Sequence, residues 1–269
     1  MNAEKFYENL LTKFKVNDAF EAWKSYREKL TEYIIAHSEG CRSIAVLGAG
    51  SSNDIDLARL YNNFEEVVLF DIDMASMKEA LEKYGLTDAV GIRCVEADFL
   101  GLDKEDYVNL IGADDPAEEL EKMYKKVHDY KFDLGGRNFD VCVAVGLHSQ
   151  LNAMPDYLVK ALDMAEGEKL SRRIISENEY ITKKMNDAIF EAAAWKVFIG
   201  AELLEERDGA SNQVQGALQA SQDIVERNSR GEIRIEKVVP MEWPFSPAKK
   251  RKYTIGIIDI SCIRFKTMF

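Results

Sequence analysis

SIAVLGAGSSND, residues 43–54, is a short apolar run that empties into Gly48-Ala49-Gly50. Ser43 to Leu47 is too short for a helix and ends on turn residues, so it reads as a strand buried on both faces. Glycines suit the tight turn that follows, and they let a ligand approach without a Cβ in the way. Asp54 to Tyr61, with Ile55, Leu57, Ala58 and Leu60, reads as the helix that leaves the turn.

The same alternation continues outward. Val67 to Phe70 is a second apolar strand closed by Asp71, and Met74 to Tyr84 is a helix that Gly85 is placed to stop. Val90 to Val95 is a third strand, closed by Glu96-Ala97-Asp98. A long charged stretch follows, in which Asp115-Pro116-Ala117-Glu118 has the form of a helix start: a capping acid, a proline at the first position and a glutamate able to reach back. Phe139 to Val145 is a fourth strand, Pro155 to Ala194 a long helical region, Trp195 to Leu204 a fifth strand and Gln213 to Arg227 a further helix. Ile233 to Val239 and Tyr253 to Phe265 are strands joined by a proline-containing loop, Trp243 to Lys252, with no helix between them. That pairing implies an antiparallel hairpin. Strand–helix alternation before it implies an α/β fold, a mostly parallel sheet with helices on both faces. Upstream, Trp23, Tyr26, Leu30, Tyr33 and Ile34 recur at helical spacing, so residues 1–40 are predicted to be a helical cap on a domain spanning 41–269.

With 269 residues, 46% of them hydrophobic, the chain can bury a sizeable core. Its net charge of -12 repels phosphate backbones and anionic lipid, which disfavours nucleic-acid and membrane partners. The one basic run, Lys249 to Lys252, reads as a solvated turn. Cys41, Cys94, Cys142 and Cys262 are too far apart for a zinc site or a disulfide framework, so no metal is expected. The opening residues have no apolar signal region, and no run is long enough to span a bilayer, so a cytoplasmic location is expected.

In open α/β sheets, ligands bind beyond the carboxyl ends of the strands. Asp71 lies at such an end, about twenty residues past Gly50, where an acid can accept from both hydroxyls of an adenosine ribose. Its other reading is a helix cap, a part Asp73 can also fill. Asp98, with Phe99 beside it, ends the third strand and reads equally as an adenine contact or a loop acid. After the fourth strand comes Val145-Gly146-Leu147-His148-Ser149-Gln150. His148 is the one of three histidines at a strand's carboxyl end, open to a part as proton acceptor or as a packing residue.

Taken in order, these elements resemble the class I, Rossmann-like S-adenosylmethionine-dependent methyltransferases over roughly Ser43 to Phe265. The resemblance implies a seven-stranded sheet with a C-terminal antiparallel hairpin and an N-terminal cap near the substrate. It implies that Gly48, Ala49, Gly50 and Ser51 surround the amino-acid part of S-adenosylmethionine. Asp71 then matches the ribose acid with Ile72 against the adenine, Asp98 and Phe99 match the adenine pair, and Val145 lies near the methionine moiety. Two positions depart from the family pattern. Val46 stands where an acid is usual and Ser52 where a third glycine is usual, with Asn53 and Asp54 close enough to supply the missing polar contact. A non-catalytic binder of the same fold and an NAD-dependent oxidoreductase are the alternatives, the second opposed by Asn53 at the last glycine position of its fingerprint. Within the methyltransferase reading, the acidic surface points to a small-molecule acceptor. Phe20, Trp23, Tyr26, Trp243 and Phe245 read as core and loop packing or as walls of its pocket.

Overall fold

The computed structural model describes residues 2–13, 16, 18–134, 136 and 138–263. The N-terminal helices are α1 (Ala3–Lys13), α2 (Ala19–Ala22) and α3 (Lys24–Ala36). The alternating part then runs β1 (Ser43–Leu47), α4 (Leu57–Asn63), β2 (Glu66–Asp71), α5 (Met74–Lys83), β3 (Ile92–Glu96), α6 (Lys104–Gly112), α7 (Pro116–Asp129) and β4 (Phe139–Val145). It continues through α8 (Ala153–Ala161), α9 (Gly167–Ala192), β5 (Ala193–Arg207), β6 (Ala210–Gln213), α10 (Ala217–Ser229), β7 (Ile233–Ser246) and β8 (Arg251–Cys262).

The sheet order is β3-β2-β1-β4-β5-β8-β7, with β6 added to the outer part of β5. The first five strands in that order are parallel, and β8 lies antiparallel between β5 and β7. β1 and β4 are central and covered on both faces, which is why their sequences are apolar apart from Ser43 and Asp140 near their first residues. Successive side chains alternate between two cores. Ile44 and Val46 of β1 pack with Leu30, Ile34, Leu57 and Met77, whereas Ala45 and Leu47 pack with Met123, Leu158 and Ile189. The apolar face of α3 thus shares a core with the sheet.

Several elements differ from the sequence expectation. Among the described residues there are eight strands rather than seven, because Gln213 ends a short strand, β6, and the helix after it starts only at Ala217. The region Pro155–Ala194 is two helices, broken where Asp163 (φ 48°) and Glu166 (φ 57°) take the left-handed conformation. The charged stretch before Asp115 contains α6, capped by Asp103 with Asp106 bonding back to the Asp103 N–H. Trp243 is not in a loop: β7 runs on to Ser246, and an edge strand tolerates Pro240 and Pro244, with a bulge between Trp243 and Ser246. Asp115 does cap α7, but Glu118 pairs with Lys122 instead of reaching back. Described strand β8 ends at Cys262, and the expected end at Phe265 lies outside the described residues.

Candidate functional site

Gly48 (φ 73°) and Gly50 (φ 44°) both need the left-handed region, so the turn after β1 depends on them. Ser52 (φ 46°) takes the same conformation where the resemblance led to a third glycine, and its hydroxyl donates to Ala49 O at 3.1 Å. The turn is tied to β2. Gly48 N and Ala49 N donate to Phe70 O at 2.8 and 3.1 Å, and Gly50 N donates to Asp71 Oδ2 at 2.8 Å. Asp71 Oδ1 accepts from Asp73 N at 2.8 Å. Each Asp71 oxygen keeps a lone pair for a further donor. Burial raises its carboxyl pKa, against the pull of these N–H groups. Asp73 is the residue that caps α5, accepting from Ser76 N at 2.9 Å, so the cap and the loop-facing acid are different aspartates. Ile72, between them, is 56% exposed at the sheet edge.

The end of β3 lies alongside: Ala97 N donates to Asp71 O at 2.9 Å. Asp98 Oδ1 accepts from Leu100 N at 2.8 Å, burial raising its pKa and backbone N–H groups opposing. Phe99 is half-buried, edge-on to Phe132 at 5.0 Å. Val145, at the end of β4, sits so close to β5 that a Cβ on Gly200 would lie 2.7 Å from its Cγ1. Ser51 is half-buried, its carbonyl taking Lys83 Nζ at 3.1 Å. Glycine turn, Asp71, Ile72, Asp98 and Val145 therefore lie at the carboxyl ends of neighbouring strands.

His148 turns away from that edge. It is 2% exposed, and its Nε2 bonds to Asn186 Oδ1 of α9 at 2.9 Å. Asn186 Nδ2 continues to Asp223 Oδ2 at 2.9 Å, and Arg227 Nε donates to the same oxygen at 2.7 Å. Burial lowers the imidazole pKa to about 4. A ring enclosed in this way is part of a polar chain between the β4 loop, α9 and α10. Phe20 lies beside the turn after β1: the Arg27 guanidinium at 4.0 Å and Lys83 Nζ at 4.7 Å cover its ring, and both cations bond to that turn, Arg27 to Asn53 O and Lys83 to Ser51 O.

One residue here escaped sequence reading. Glu202, on β5 within an apolar run, is 4% exposed and accepts from Ser149 Oγ at 2.7 Å. The register shifts between Glu202 and Leu204, the kind of bulge that re-aims a side chain. Asp54 carries a carboxyl whose pKa burial raises to about 6, with Arg27 opposing. The aromatic residues form one group: Tyr26 stacks on Trp243 at 5.5 Å, Trp23 meets Trp243 edge-on at 4.8 Å, and Trp23 Nε1 donates to Phe245 O at 3.0 Å. An acid inside an otherwise apolar strand was the available signal for Glu202. No described helix is long and apolar enough to cross a membrane.

No protein-family model matches the chain, and no curated protein matches its sequence. Solved structures of similar fold include the magnesium protoporphyrin IX methyltransferase of Synechocystis PCC 6803 with bound SAM, at 10% identity and a TM-score of 0.49, over 93% of this chain and 86% of that one. The N-methyltransferase NodS of Bradyrhizobium japonicum WM9 aligns at 12% identity and a TM-score of 0.49, over 92% and 99%. A putative RNA methyltransferase of Pyrococcus horikoshii aligns at 10% identity and a TM-score of 0.47, over 88% and 84%. Similarity this low bears on no residue role, and the α/β class with its antiparallel C-terminal strands rests on the strand order itself.

Proposed function

We propose that this chain is a class I S-adenosylmethionine-dependent methyltransferase acting on a small-molecule acceptor. The observation that carries the reading is a sheet of order β3-β2-β1-β4-β5-β8-β7 with β8 antiparallel, whose β1 turn is bonded through Gly50 N to Asp71. An NAD-binding domain keeps its sixth strand parallel, and here an antiparallel strand stands next to β5.

The residues present fit the cofactor. A Cβ on Gly50 would meet only Asp71 Oδ2, at an ordinary 3.8 Å, so the space beside the turn and Asp71 is open to a ligand. Asp71 keeps lone pairs for two ribose hydroxyls, Ile72 and Phe99 offer apolar walls to the adenine, and Asp98 offers an acceptor to its amino group. Gly48, Ala49, Gly50 and Ser51 would receive the amino-acid part, with Val145 beside it. Val46 is buried in the strand and supplies no charge, so Asp54 takes over the contact to the cofactor's amino group. When bound, S-adenosylmethionine supplies a methyl group already activated by its sulfonium, which asks little of the protein beyond placing the acceptor in line. Negative surface charge supports a small acceptor over nucleic acid. No disulfide joins the four cysteines, which suits a reducing cytoplasm.

Calorimetric titration with S-adenosylmethionine, S-adenosylhomocysteine and NAD, on wild type and Asp71→Ala, tests the reading. Expected is binding of both adenosyl ligands, weakened at least about tenfold in the variant (~1.4 kcal/mol). Binding of NAD alone moves the chain to the oxidoreductases, and binding of none removes the proposal while leaving the fold.

A further inference from the structure

Three polar atoms from distant parts of the chain are buried together without a hydrogen-bond partner: Tyr26 OH on α3, Glu202 Oε2 on β5 and Trp243 Nε1 on β7. Their residues are 2–4% exposed. Buried polar atoms are almost always paired, so three unpaired ones in one cluster require an explanation. That they form one cluster follows from their shared neighbours. A Cβ on Gly146 would lie 3.4 Å from Glu202 Oε1 and 3.3 Å from the Trp243 ring, and Tyr26 stacks on that ring at 5.5 Å. Gly146 directly follows Val145, so the cluster adjoins the end of the cofactor site that would hold the methionine moiety.

Building on the methyltransferase reading, we propose that Tyr26, Glu202 and Trp243 form the acceptor site, and that the acceptor is a small amine carrying a nearby oxygen, which enters as its ammonium, gives one N–H proton to the Glu202 carboxylate and, with the lone pair so freed, takes the methyl group as the sulfonium C–S bond breaks to leave S-adenosylhomocysteine. The chemistry of the three atoms sets this choice. A carboxylate oxygen needs a donor, an indole N–H needs an acceptor, and a phenol can be either. An ammonium group with a neighbouring hydroxyl or carbonyl oxygen satisfies all three. Charge points the same way. Burial, and to a smaller extent the nearby Asp54 carboxylate, disfavours ionisation of Glu202. Arg251 favours the charged form of Glu202, but its guanidinium is engaged by Glu205. A cation entering the cluster is attracted by both acids and by the faces of Tyr26 and Trp243. A carboxylate or phosphate is repelled, and a neutral alcohol leaves the acids without a counter-charge.

Ligand-observed NMR with ethanolamine, ethylene glycol and glycolate compares cationic, neutral and anionic probes of similar size, with and without S-adenosylhomocysteine. Ethanolamine is expected to bind wild type at least about tenfold more tightly than either counterpart. Glu202→Gln, which keeps the volume and the bond to Ser149, abolishes that preference while S-adenosylhomocysteine affinity stays within about twofold. Tyr26→Phe serves as a second, minimal variant and weakens ethanolamine without unfolding the cap, as circular dichroism checks. Equal binding of the three probes to wild type overturns the proposal. So does a Glu202→Gln variant that loses S-adenosylhomocysteine and leaves ethanolamine unchanged, since Glu202 then belongs to the cofactor. If wild type fails to bind S-adenosylhomocysteine yet selects ethanolamine, the amine site stands and the methyltransferase reading falls.

Discussion

Replacing His148 with glutamine tests whether its ring is held buried and neutral, because it removes the titration and keeps a donor for Asn186 Oδ1. Burial lowers the imidazole pKa to about 4 from an ordinary 6.5. The unfolded chain therefore takes up the proton first as pH falls. Stability from the neutral ring is complete above pH 6.5 and is lost as pH falls toward 4. At 1.36 kcal/mol per pH unit, the interval amounts to about 3 kcal/mol at acid pH. Asp54 acts in the opposite sense, since its raised carboxyl pKa favours the folded state at low pH, but it does so equally in both proteins and cancels in the difference. Urea unfolding followed by tryptophan fluorescence from about pH 8 to about pH 4 measures that difference. Wild type is expected to lose about 3 kcal/mol relative to His148→Gln, most of it below pH 6. A difference that stays flat, or an imidazole that titrates by NMR near 6.5, refutes the burial reasoning and supports His148 as a proton acceptor.

Two further substitutions probe the frame that holds the site. Gly91→Ala places a Cβ 2.7 Å from Glu65 O at φ 97°, so calorimetry should show a loss of about 1–3 kcal/mol, and an unchanged Tm would mean that this turn relaxes freely. Asp259→Ala removes the buried partner of Lys196 Nζ (2.7 Å) and of Tyr33 OH (3.3 Å), at an expected cost of about 3–5 kcal/mol in urea unfolding, whereas joint replacement by Lys196→Met and Asp259→Leu should restore most of it.

Local rules made much of this fold readable. β1 and β4 are covered on both faces, and their polar residues, Ser43 and Asp140, sit near the start of each strand where they bond to one another, so the apolar runs that follow locate both strands. Asp73 and Asp115 are at their caps because the chemistry of a helix start is local. What failed depended on partners far away. α6 has a thin apolar stripe, Tyr107, Leu110 and Ile111, and is hidden by charge until α1 and α7 are packed on it. Pro240 and Pro244 suggested a loop, because only the finished sheet reveals β7 as an edge. The candidate site divides along the same line. Asp71 follows from its distance to Gly50, whereas the direction of His148 is set by Asn186, some forty residues on, and that of Glu202 by a bulge no single-strand pattern displays.

The bond from Trp23 Nε1 to Phe245 O joins the N-terminal helices to the C-terminal hairpin over the ring cluster. A molecule that reached Glu202 between these two elements would have to break that bond, and one leaving the same way would have to break it again. Arrival and departure would then be timed by the same opening. Residence inside could be long with few strong contacts, and the speed of the whole cycle would be set at the doorway and not at the chemistry.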